Sequence, residues 1–362
     1  MTSVHLQKID QAFGRVHVLR GLDFQVESGQ YLVLLGASGG GKTTTLRIIA
    51  GLQKPTRGKV LLDGEDVRAL PPRSRDVAMV FQHDTLYPHR TLAGSIQFGL
   101  KKSLGRNEKE KRVAEAARLT GIAALLDRYP HHLSGGQLRR AAIAKAVARQ
   151  SSVRLLDEPL SSLDGQAREQ LQADLLRWHR SLGGTTIHVT HDGQEAMRMA
   201  DVIAVLNGGQ IDQCAGPDEI YRDPKTLAVA RAIGTPTIQC FEACFRAGKW
   251  MFQQEGQASS DLSIAAAREK IVIAIRPEAL RVESTGSDLH GRYAVRIAGR
   301  LQRCSFSGRD QVISVQCGEQ TVTAIQAINA EFSAQPGDEV CVCGEQQDLL
   351  IFDAATEERV HS

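Results

Sequence analysis

One short stretch, GASGGGKTT, places glycines, a lysine and two threonines in the spacing G-x-x-x-x-G-K-[ST], which is typical of a phosphate-binding loop. Its glycines let backbone N–H groups converge on a phosphate, and a following helix adds its positive end. Lys42 would reach the β- and γ-phosphates of a nucleoside triphosphate, and the Thr43 hydroxyl would ligate Mg²⁺. A plain glycine turn before a helix is the competing interpretation. The predicted nucleotide-binding residues are Gly36, Ala37, Ser38, Gly39, Gly40, Gly41, Lys42, Thr43 and Thr44.

Two carboxylates follow an apolar run in VRLLDEP and would supply the second half of such a site. Asp157 ends the run, where it can hold Mg²⁺ through water. Glu158 points differently and can polarise a water for in-line attack on the γ-phosphate. His191 ends another short strand, and from the carboxyl end of a strand in an open α/β sheet it could donate a hydrogen bond to the γ-phosphate. A surface carboxylate pair and a structural histidine are the alternatives.

A second glycine-rich stretch, HHLSGGQLRRA, raises a separate question. No apolar strand precedes it, but it opens the helical pattern GGQLRRAAIAKAVAR, whose positive N-terminal end can face a γ-phosphate. A glycine turn or cap is the alternative reading. The residues themselves do not explain why one domain would carry two anion-binding loops.

The elements that must position these residues alternate between strand and helix over the first 230 residues or so, which predicts a sheet flanked by helices. A helix-rich insert is predicted at about 92–150. Beyond about 235, short strands with turn signals predict a separate β-barrel or sandwich. We therefore expect domains at 1–235 and 236–362. Arg154 interrupts an apolar strand, and we expect it at the entry end with its guanidinium in water.

Composition excludes several classes of protein. The 44 Lys and Arg against 41 Asp and Glu give a net charge of +3, too little for a nucleic-acid footprint over the whole chain. No apolar run approaches the ~18–20 residues that cross a bilayer, and the start, MTSVHLQKID, lacks the apolar region of a signal peptide. The seven cysteines are scattered, and Cys341-x-Cys343 lacks two further zinc ligands. We expect reduced thiols in a cytosolic protein.

The motifs resemble, in their order and spacing, the ATPase subunits of ABC transporters over residues 1 to about 235. The residues that carry this resemblance are the phosphate loop, Phe81-Gln82, LSGGQ at Leu133–Gln137, LLDEP, SSLD at Ser161–Asp164, and VTHD. VAMVFQHDTLYPHRTL, HDGQEAMRMADVIAVLNGGQI and AIRPEAL look like the importer ATPases with a C-terminal OB-type domain, above all the maltose-type sugar group. The resemblance implies an α/β phosphate-loop ATPase domain with a helical subdomain, followed by an all-β OB-type domain that regulates.

The resemblance also implies a role for the second loop. In this family two ATPase chains pair head to tail, and the Ser-Gly-Gly-Gln of one covers the ATP held by the other. The residues that would contact or orient the partner's nucleotide are Ser134, Gly135, Gly136, Gln137 and Asp164.

Two further roles carry over by the same resemblance. Phe13 aligns with the aromatic that stacks on adenine, although a core phenylalanine is the open alternative. Gln82 would touch Mg²⁺ or the attacking water. Departures from the family pattern are Ala37 for proline, Leu138-Arg139-Arg140 for Arg-Gln-Arg, and Gly193 for Gln or Glu. None removes a reacting group.

The function implied is hydrolysis of ATP with Mg²⁺ by a homodimer, peripheral to the cytoplasmic side of the inner membrane. It would power uptake through separate integral membrane permease subunits, with a periplasmic or extracellular solute-binding protein taking part indirectly and no nucleic acid. A sugar or glycerol phosphate is the expected solute, with polyamine, iron or oxyanion as alternatives. A soluble ABC protein of DNA repair or translation usually carries a coiled coil or two cassettes. A regulator that binds ATP without cleaving it is disfavoured by Glu158 and His191.

Overall fold

The structure is a computed structural model that describes residues 2–82, 86–161, 163–246, 249–252, 269–284, 293–328, 332 and 334–361. The chain divides into two compact units, Met1–Ile220 and Tyr221–Ser362. Each unit has its own hydrophobic core.

The first unit contains two sheets. Its strands are β1 (Val4–Phe13), β2 (Val16–Val26), β3 (Tyr31–Gly36), β4 (Arg57–Leu62), β5 (Glu65–Asp66), β6 (Val77–Val80), β7 (Val153–Asp157), β8 (Thr185–Thr190), β9 (Val202–Asn207) and β10 (Gln210–Ala215). One sheet has the order β2-β1-β4-β5 and is antiparallel. The other has the order β10-β9-β3-β8-β7-β6, and all its neighbours are parallel except β10 and β9.

This region contains the helices α1 (Lys42–Ala50), α2 (Leu92–Phe98), α3 (Arg106–Leu119), α4 (Gly135–Arg149), α5 (Gly165–Leu182), α6 (Gly193–Met199) and α7 (Pro217–Arg222). Helices α1, α4 and α6 pack on the parallel sheet, α2 and α3 pack on α4, and α7 spans the boundary between the two units. Strand β3 is a continuous apolar run whose first five residues are buried, as expected for a parallel strand covered on both faces. Leu32 and Leu34 of β3 join Leu6 and Ile9 of β1 in one core, so the antiparallel sheet packs on the parallel one. The α/β class predicted for this region is confirmed.

The second unit is built from antiparallel strands after one short helix, α8 (Leu227–Ala232). Its strands are β11 (Gln239–Arg246), β12 (Lys249–Phe252), β13 (Lys270–Ile275), β14 (Arg281–Ser284), β15 (Val295–Ser307), β16 (Asp310–Cys317), β17 (Gln320–Ala327), β18 (Glu339–Gly344) and β19 (Leu350–Asp353). They form sheets of order β12-β11-β13-β19 and β14-β18-β15-β16-β17. The all-β class predicted here is confirmed.

The boundary between the units lies before the position expected from the sequence. Helix α8 falls in the second unit because Leu227 and Ala230 pack with Val272 and Phe352. The guanidinium of Arg276 also donates hydrogen bonds to carbonyl oxygens in and just after this helix. The helical pattern of this segment predicts that it belongs to the ATPase domain, whereas its apolar side chains pack in the core of the second unit.

Candidate active site

Four predicted functional residues lie at one edge of the parallel sheet. Gly36 ends β3, Asp157 ends β7, and Gln82 and His191 follow β6 and β8 closely. These four strands are consecutive neighbours in the sheet and run parallel. Their carboxyl ends therefore meet at the edge where open α/β sheets hold their ligands.

The phosphate loop connects β3 to α1 with almost no space beside two of its glycines. A Cβ added at Gly36 would lie 2.5 Å from the carbonyl oxygen of Leu206. Gly41 caps α1 with φ 99°, and a Cβ there would meet the Leu19 side chain at 2.6 Å. Only glycine combines this left-handed conformation with this close approach. Between them, Ala37, Ser38 and Gly39 form the exposed tip of the loop.

Lys42 begins α1 and folds back onto the loop. Its Nζ donates hydrogen bonds of 2.9 Å to the carbonyl oxygens of Gly36 and Ala37. Burial lowers the pKa of this ammonium, and the nearby carboxylates of Glu158 and Asp157 act in the opposite direction. A buried cation in this position attracts an anion more strongly than a fully solvated one would.

Thr43 and Asp157 form a pair of oxygen donors beside the loop. The Thr43 hydroxyl donates to Asp157 Oδ1 over 2.9 Å. Burial raises the pKa of Asp157, and the bond from Thr43 lowers it only in part, so a cation at this point would stabilise the carboxylate. The described residues contain no group of three His, Cys, Asp or Glu side chains able to hold a metal ion. Mg²⁺ suits such a site, because it commonly uses one or two protein oxygens together with phosphates and water.

Glu158 is the point at which three predicted catalytic residues meet. Gln82 Nε2 donates to its Oε2 over 3.2 Å, and His191 Nδ1 lies 3.4 Å from its Oε1. Glu158 has φ 45°, a left-handed conformation that is strained for a residue with a side chain. The sequence predicted Glu158 and His191 at the γ-phosphate from strand ends and added Gln82 only through the family resemblance, and the structure brings both side chains into contact with Glu158.

The residues predicted to serve a partner chain are the caps of two helices. Ser134 caps α4 and forms a capping box with Gln137, with hydrogen bonds of 3.1 and 3.4 Å. Asp164 caps α5 through a 2.9 Å bond from the Ala167 amide. Ser134 and Gly135 are exposed. Ser162, within SSLD, and His83–Thr85, after Gln82, lie outside the described residues.

Phe13 ends β1 at the tip of the hairpin with β2, and 48% of its surface is exposed. The alternative of a core phenylalanine is therefore wrong. An exposed aromatic ring is available to stack on a base.

Comparison with known proteins matches both units to families. The ABC transporter family matches residues 19–161, and the TOBE domain family matches residues 273–352. The sulfoquinovosyl glycerol transport ATP-binding protein of Agrobacterium fabrum is 36% identical over 100% of both chains. The chain belongs to the ABC transporter ATPases. It is an ATPase subunit of the importer type, and its predicted OB-type domain is matched as a TOBE domain. The chain binds ATP and hydrolyses it to drive transport.

Other relatives show the breadth of this family. The trehalose/maltose import ATP-binding protein of Thermococcus litoralis is 37% identical, over 98% of this chain and 99% of its own. The spermidine/putrescine import ATP-binding protein of Bacillus cereus is 38% identical, over 96% of this chain and 98% of its own. Among solved structures, a dimeric bacterial ABC transporter cassette has a TM-score of 0.55 and 27% identity, covering 59% of this chain and 98% of that one.

Two arginines of this ABC ATPase behave differently from the sequence expectation. Arg154 lies at the entry end of β7, but its guanidinium is buried against Thr186 and the carbonyl oxygens of Gly183 and Gly184. The expectation that it reaches water was wrong, because backbone acceptors replace the solvent. Arg139, noted only as a departure from the family pattern, is buried at the active site.

Within the described residues, no helix has the length and apolar character needed to cross a bilayer.

Aromatic residues near the start of the second unit belong to its core. Phe241, Trp250 and Phe252 are buried there, and Phe245 packs against them.

Proposed function

We propose that Glu158 is the general base that polarises the attacking water at the γ-phosphate of ATP. The contact of its carboxylate with both Gln82 and His191 carries this proposal. A base needs a defined direction as well as a suitable pKa, and two side chains from neighbouring strand ends fix the direction of this carboxylate. His191, which is more than half exposed, can also donate to the phosphate.

Lys42 and the loop amides would hold the phosphates, with Thr43, Asp157 and Gln82 as the residues that would hold Mg²⁺. When bound, Mg²⁺ neutralises charge on the β- and γ-phosphates. The chain's own contribution is the Thr43–Asp157 pair, whose buried carboxylate gains from a neighbouring cation. Phe13 would stack on the adenine from the hairpin tip.

We infer that two chains pair head to tail, so that Ser134, Gly135, Gly136 and Gln137 of one contact ATP on the other, with Asp164 beside them. The exposed N-terminus of α4 supports this arrangement, since its amides and dipole favour a phosphate. The solved relative is described as dimeric. ATP would then hold the dimer closed, and loss of the γ-phosphate would open it.

The solute proposed is a sugar or glycerol phosphate, taken up through separate membrane permeases with the chain at their cytoplasmic face. A solute-binding protein would deliver the cargo. Relatives named for sulfoquinovosyl glycerol, trehalose/maltose and sn-glycerol-3-phosphate support this class. A polyamine relative is equally similar, at 38% identity, because the cargo does not touch an ATPase subunit. Polyamine uptake is therefore the second candidate, and iron or oxyanion uptake follows.

The test of the hydrolytic site is Glu158→Gln, which keeps the shape of the side chain and removes its charge. We expect ATP turnover to fall by at least ~10²-fold, the scale of a lost general base, while ATP binding is retained. Glu65→Gln is the matched control, because Glu65 is exposed on β5. Near-normal turnover in Glu158→Gln would remove Glu158 from this role.

The test of the solute is uptake of labelled maltose, glycerol 3-phosphate and spermidine by cells that express either the wild-type chain or Glu158→Gln. The proposal predicts that only the sugar or glycerol phosphate signal depends on intact Glu158. Dependence of spermidine uptake alone would establish the second candidate instead.

A further inference from the structure

Arg139 lies just beyond the first turn of α4, and only 4% of its surface is exposed. Its side chain extends from the helix that carries Ser134 to the backbone beneath the catalytic carboxylate. Nothing in the proposed reaction uses this residue, although its charge is buried close to Asp157.

The guanidinium donates to five carbonyl oxygens from two separate segments. Nη1 bonds Phe81 O at 2.7 Å and Gln82 O at 3.2 Å. Nη2 bonds Asp157 O at 3.2 Å and Glu158 O at 2.5 Å, and Nε bonds Pro159 O at 2.7 Å. The carbonyl groups of the predicted base, of its glutamine partner and of the residues next to them at Phe81, Asp157 and Pro159 are therefore bonded to one side chain.

Only arginine can satisfy this arrangement in full. Its planar fork carries five N–H donors in fixed directions, whereas lysine offers three donors from a single point and glutamine two. Charge-assisted bonds are also shorter and stronger than neutral ones. The set of acceptors thus matches the geometry of the guanidinium.

The Glu158 backbone needs such a clamp because its left-handed conformation is strained. Hydrogen bonds secure both its N–H and its carbonyl oxygen. Glu158 N donates to Val189 O over 3.0 Å, and Glu158 O accepts from the Ser161 amide over 3.3 Å, from Ser161 Oγ over 2.8 Å and from Arg139. Of these donors to Glu158 O, Arg139 is also bonded to Gln82 O, so it joins this strained turn to the backbone of Gln82.

We propose that Arg139 is a positioning residue for hydrolysis. It holds the backbone of Glu158 and Gln82 so that the base faces the water. Because Arg139 also links α4 to these two residues, a movement of α4 is transmitted to the base through one side chain. This inference rests on the proposed role of Glu158. It assigns no contact between Arg139 and the nucleotide.

The first test compares Arg139→Met, Arg139→Lys and Arg139→Gln by steady-state kinetics. Methionine keeps the volume but has no donor, so kcat should fall about 10²-fold, the cost of misplacing a reacting group. KM should stay within about threefold, since ground-state binding is unaffected. Lysine and glutamine should restore part of kcat. Equal kcat in all four proteins would overturn the proposal.

Arg140→Met is the matched control. Arg140 lies on the same helix and is paired with Asp174 at 2.8 Å and Thr120 O at 3.2 Å, away from the catalytic backbone. Its loss should lower the melting temperature and leave the kcat of the folded protein near wild type. A kcat loss in Arg140→Met as large as in Arg139→Met would reduce Arg139 to a general support of α4.

A second readout separates positioning of the base from support of the loop at Ser134. In a Glu158→Gln background, the ATP-bound dimer is measured by size-exclusion chromatography with and without Arg139→Met. Positioning predicts an unchanged dimer population, whereas a disturbed Ser134 loop predicts a smaller one and overturns the proposal. If Glu158→Gln alone keeps full turnover, the proposed function fails. If Glu158→Gln loses turnover and Arg139→Met does not, only this inference fails.

Discussion

Asp157 shows how a single residue can be unfavourable for the fold and useful for the site. Its side chain is buried at the end of β7, and burial raises its pKa above the ordinary value of 3.8 despite the bond from Thr43. A carboxyl group with a raised pKa binds more protons in the folded state than in the unfolded state. Its contribution to stability therefore falls as pH rises from the ordinary value through the raised one.

Asp157→Asn should accordingly stabilise the chain without nucleotide. Asparagine keeps an oxygen that accepts from Thr43 and carries no charge to desolvate. We expect a higher melting temperature than wild type at pH 7, with a smaller difference at pH 3, which lies below both the ordinary and the raised pKa of this carboxyl group. The additional stabilisation by ATP that depends on Mg²⁺ should be lost. An equal difference at both pH values would contradict the electrostatic origin.

Phe13 is the second single residue whose role can be tested, because about half of its surface is exposed at the tip of the hairpin. Phe13→Ala should weaken ATP binding by about tenfold, as base–aromatic stacking is worth ~1–3 kcal/mol. The melting temperature of the free chain should hardly change. Phe306→Ala, at a ring that is 74% exposed on β15, is the matched control. Unchanged ATP affinity in Phe13→Ala would exclude the stacking role.

Residue chemistry could be predicted from the sequence where the spacing is local. The phosphate loop and Asp157-Glu158 are continuous stretches, so their residue types define the chemistry directly. The clamp by Arg139 could not be predicted, because its acceptors come from segments that meet only when β6 pairs with β7. The left-handed φ of Glu158 could not be predicted either, since the hydrogen bonds that hold it are one donated by Ser161 Oγ and one accepted by Val189 O.

At the scale of elements, the second glycine loop is the start of a long helix. Strand β3 and helix α1 could be predicted from an apolar run followed by a glycine turn. Helix α4 could be predicted from its helical pattern, but the role of its N-terminus came only from the family resemblance. Its capping box satisfies the Ser134 amide and the Gln137 amide within the chain. Other amides of the first helical turn have no partner inside a helix, which suits them to a phosphate from a second chain.

The arrangement of the dimer predicts which pairs of lesions share a site. If one chain carries Ser134→Arg and the other Lys42→Ala, both lesions fall on one composite site and the other site stays intact. If one chain carries both, each site has one lesion. We expect higher ATP turnover from the first mixed dimer, measured on dimers purified with two different tags. The reverse order would mean that the Ser134 loop serves its own chain.

The Ser134→Arg substitution also removes the N-cap of α4, and the loss of such a cap costs about 1 kcal/mol of stability. Thr91→Arg controls for this effect, because Thr91 caps α2 through a 3.2 Å bond to the Gly94 amide. ATP binding by the single chain should be unaffected in both variants.

Closing such a dimer must offset a free-energy cost of association of ~4–15 kcal/mol. Several charge-assisted hydrogen bonds of ~1.5–3 kcal/mol each, formed at two nucleotides, are sufficient to offset it.

At the scale of the whole molecule, the residues assigned to ATP binding and hydrolysis are confined to one of the two units. Every residue assigned to ATP lies in the first unit, and the described aromatics Phe241, Trp250 and Phe252 are buried in the second. The sequence pattern groups α8 with the first unit, because α8 has a helical pattern like those before it. Its partners, Val272 and Phe352, follow it at a long distance along the chain.

The position of this boundary can be tested by two truncations. The first ends at Arg222, where α7 ends, and the second ends at Gly234 and so includes α8. Both should retain ATP turnover per folded molecule, since neither removes a residue of the site. The longer fragment should aggregate more, because it exposes Leu227 without the core that buries it, at ~1.5–3 kcal/mol of lost burial for this side chain. Light scattering during heating, with Leu227→Ser in the longer fragment as the control, measures this difference. Equal aggregation of the two fragments would show that α8 does not depend on the second unit, and lost turnover in both would place part of the hydrolytic machinery beyond Arg222.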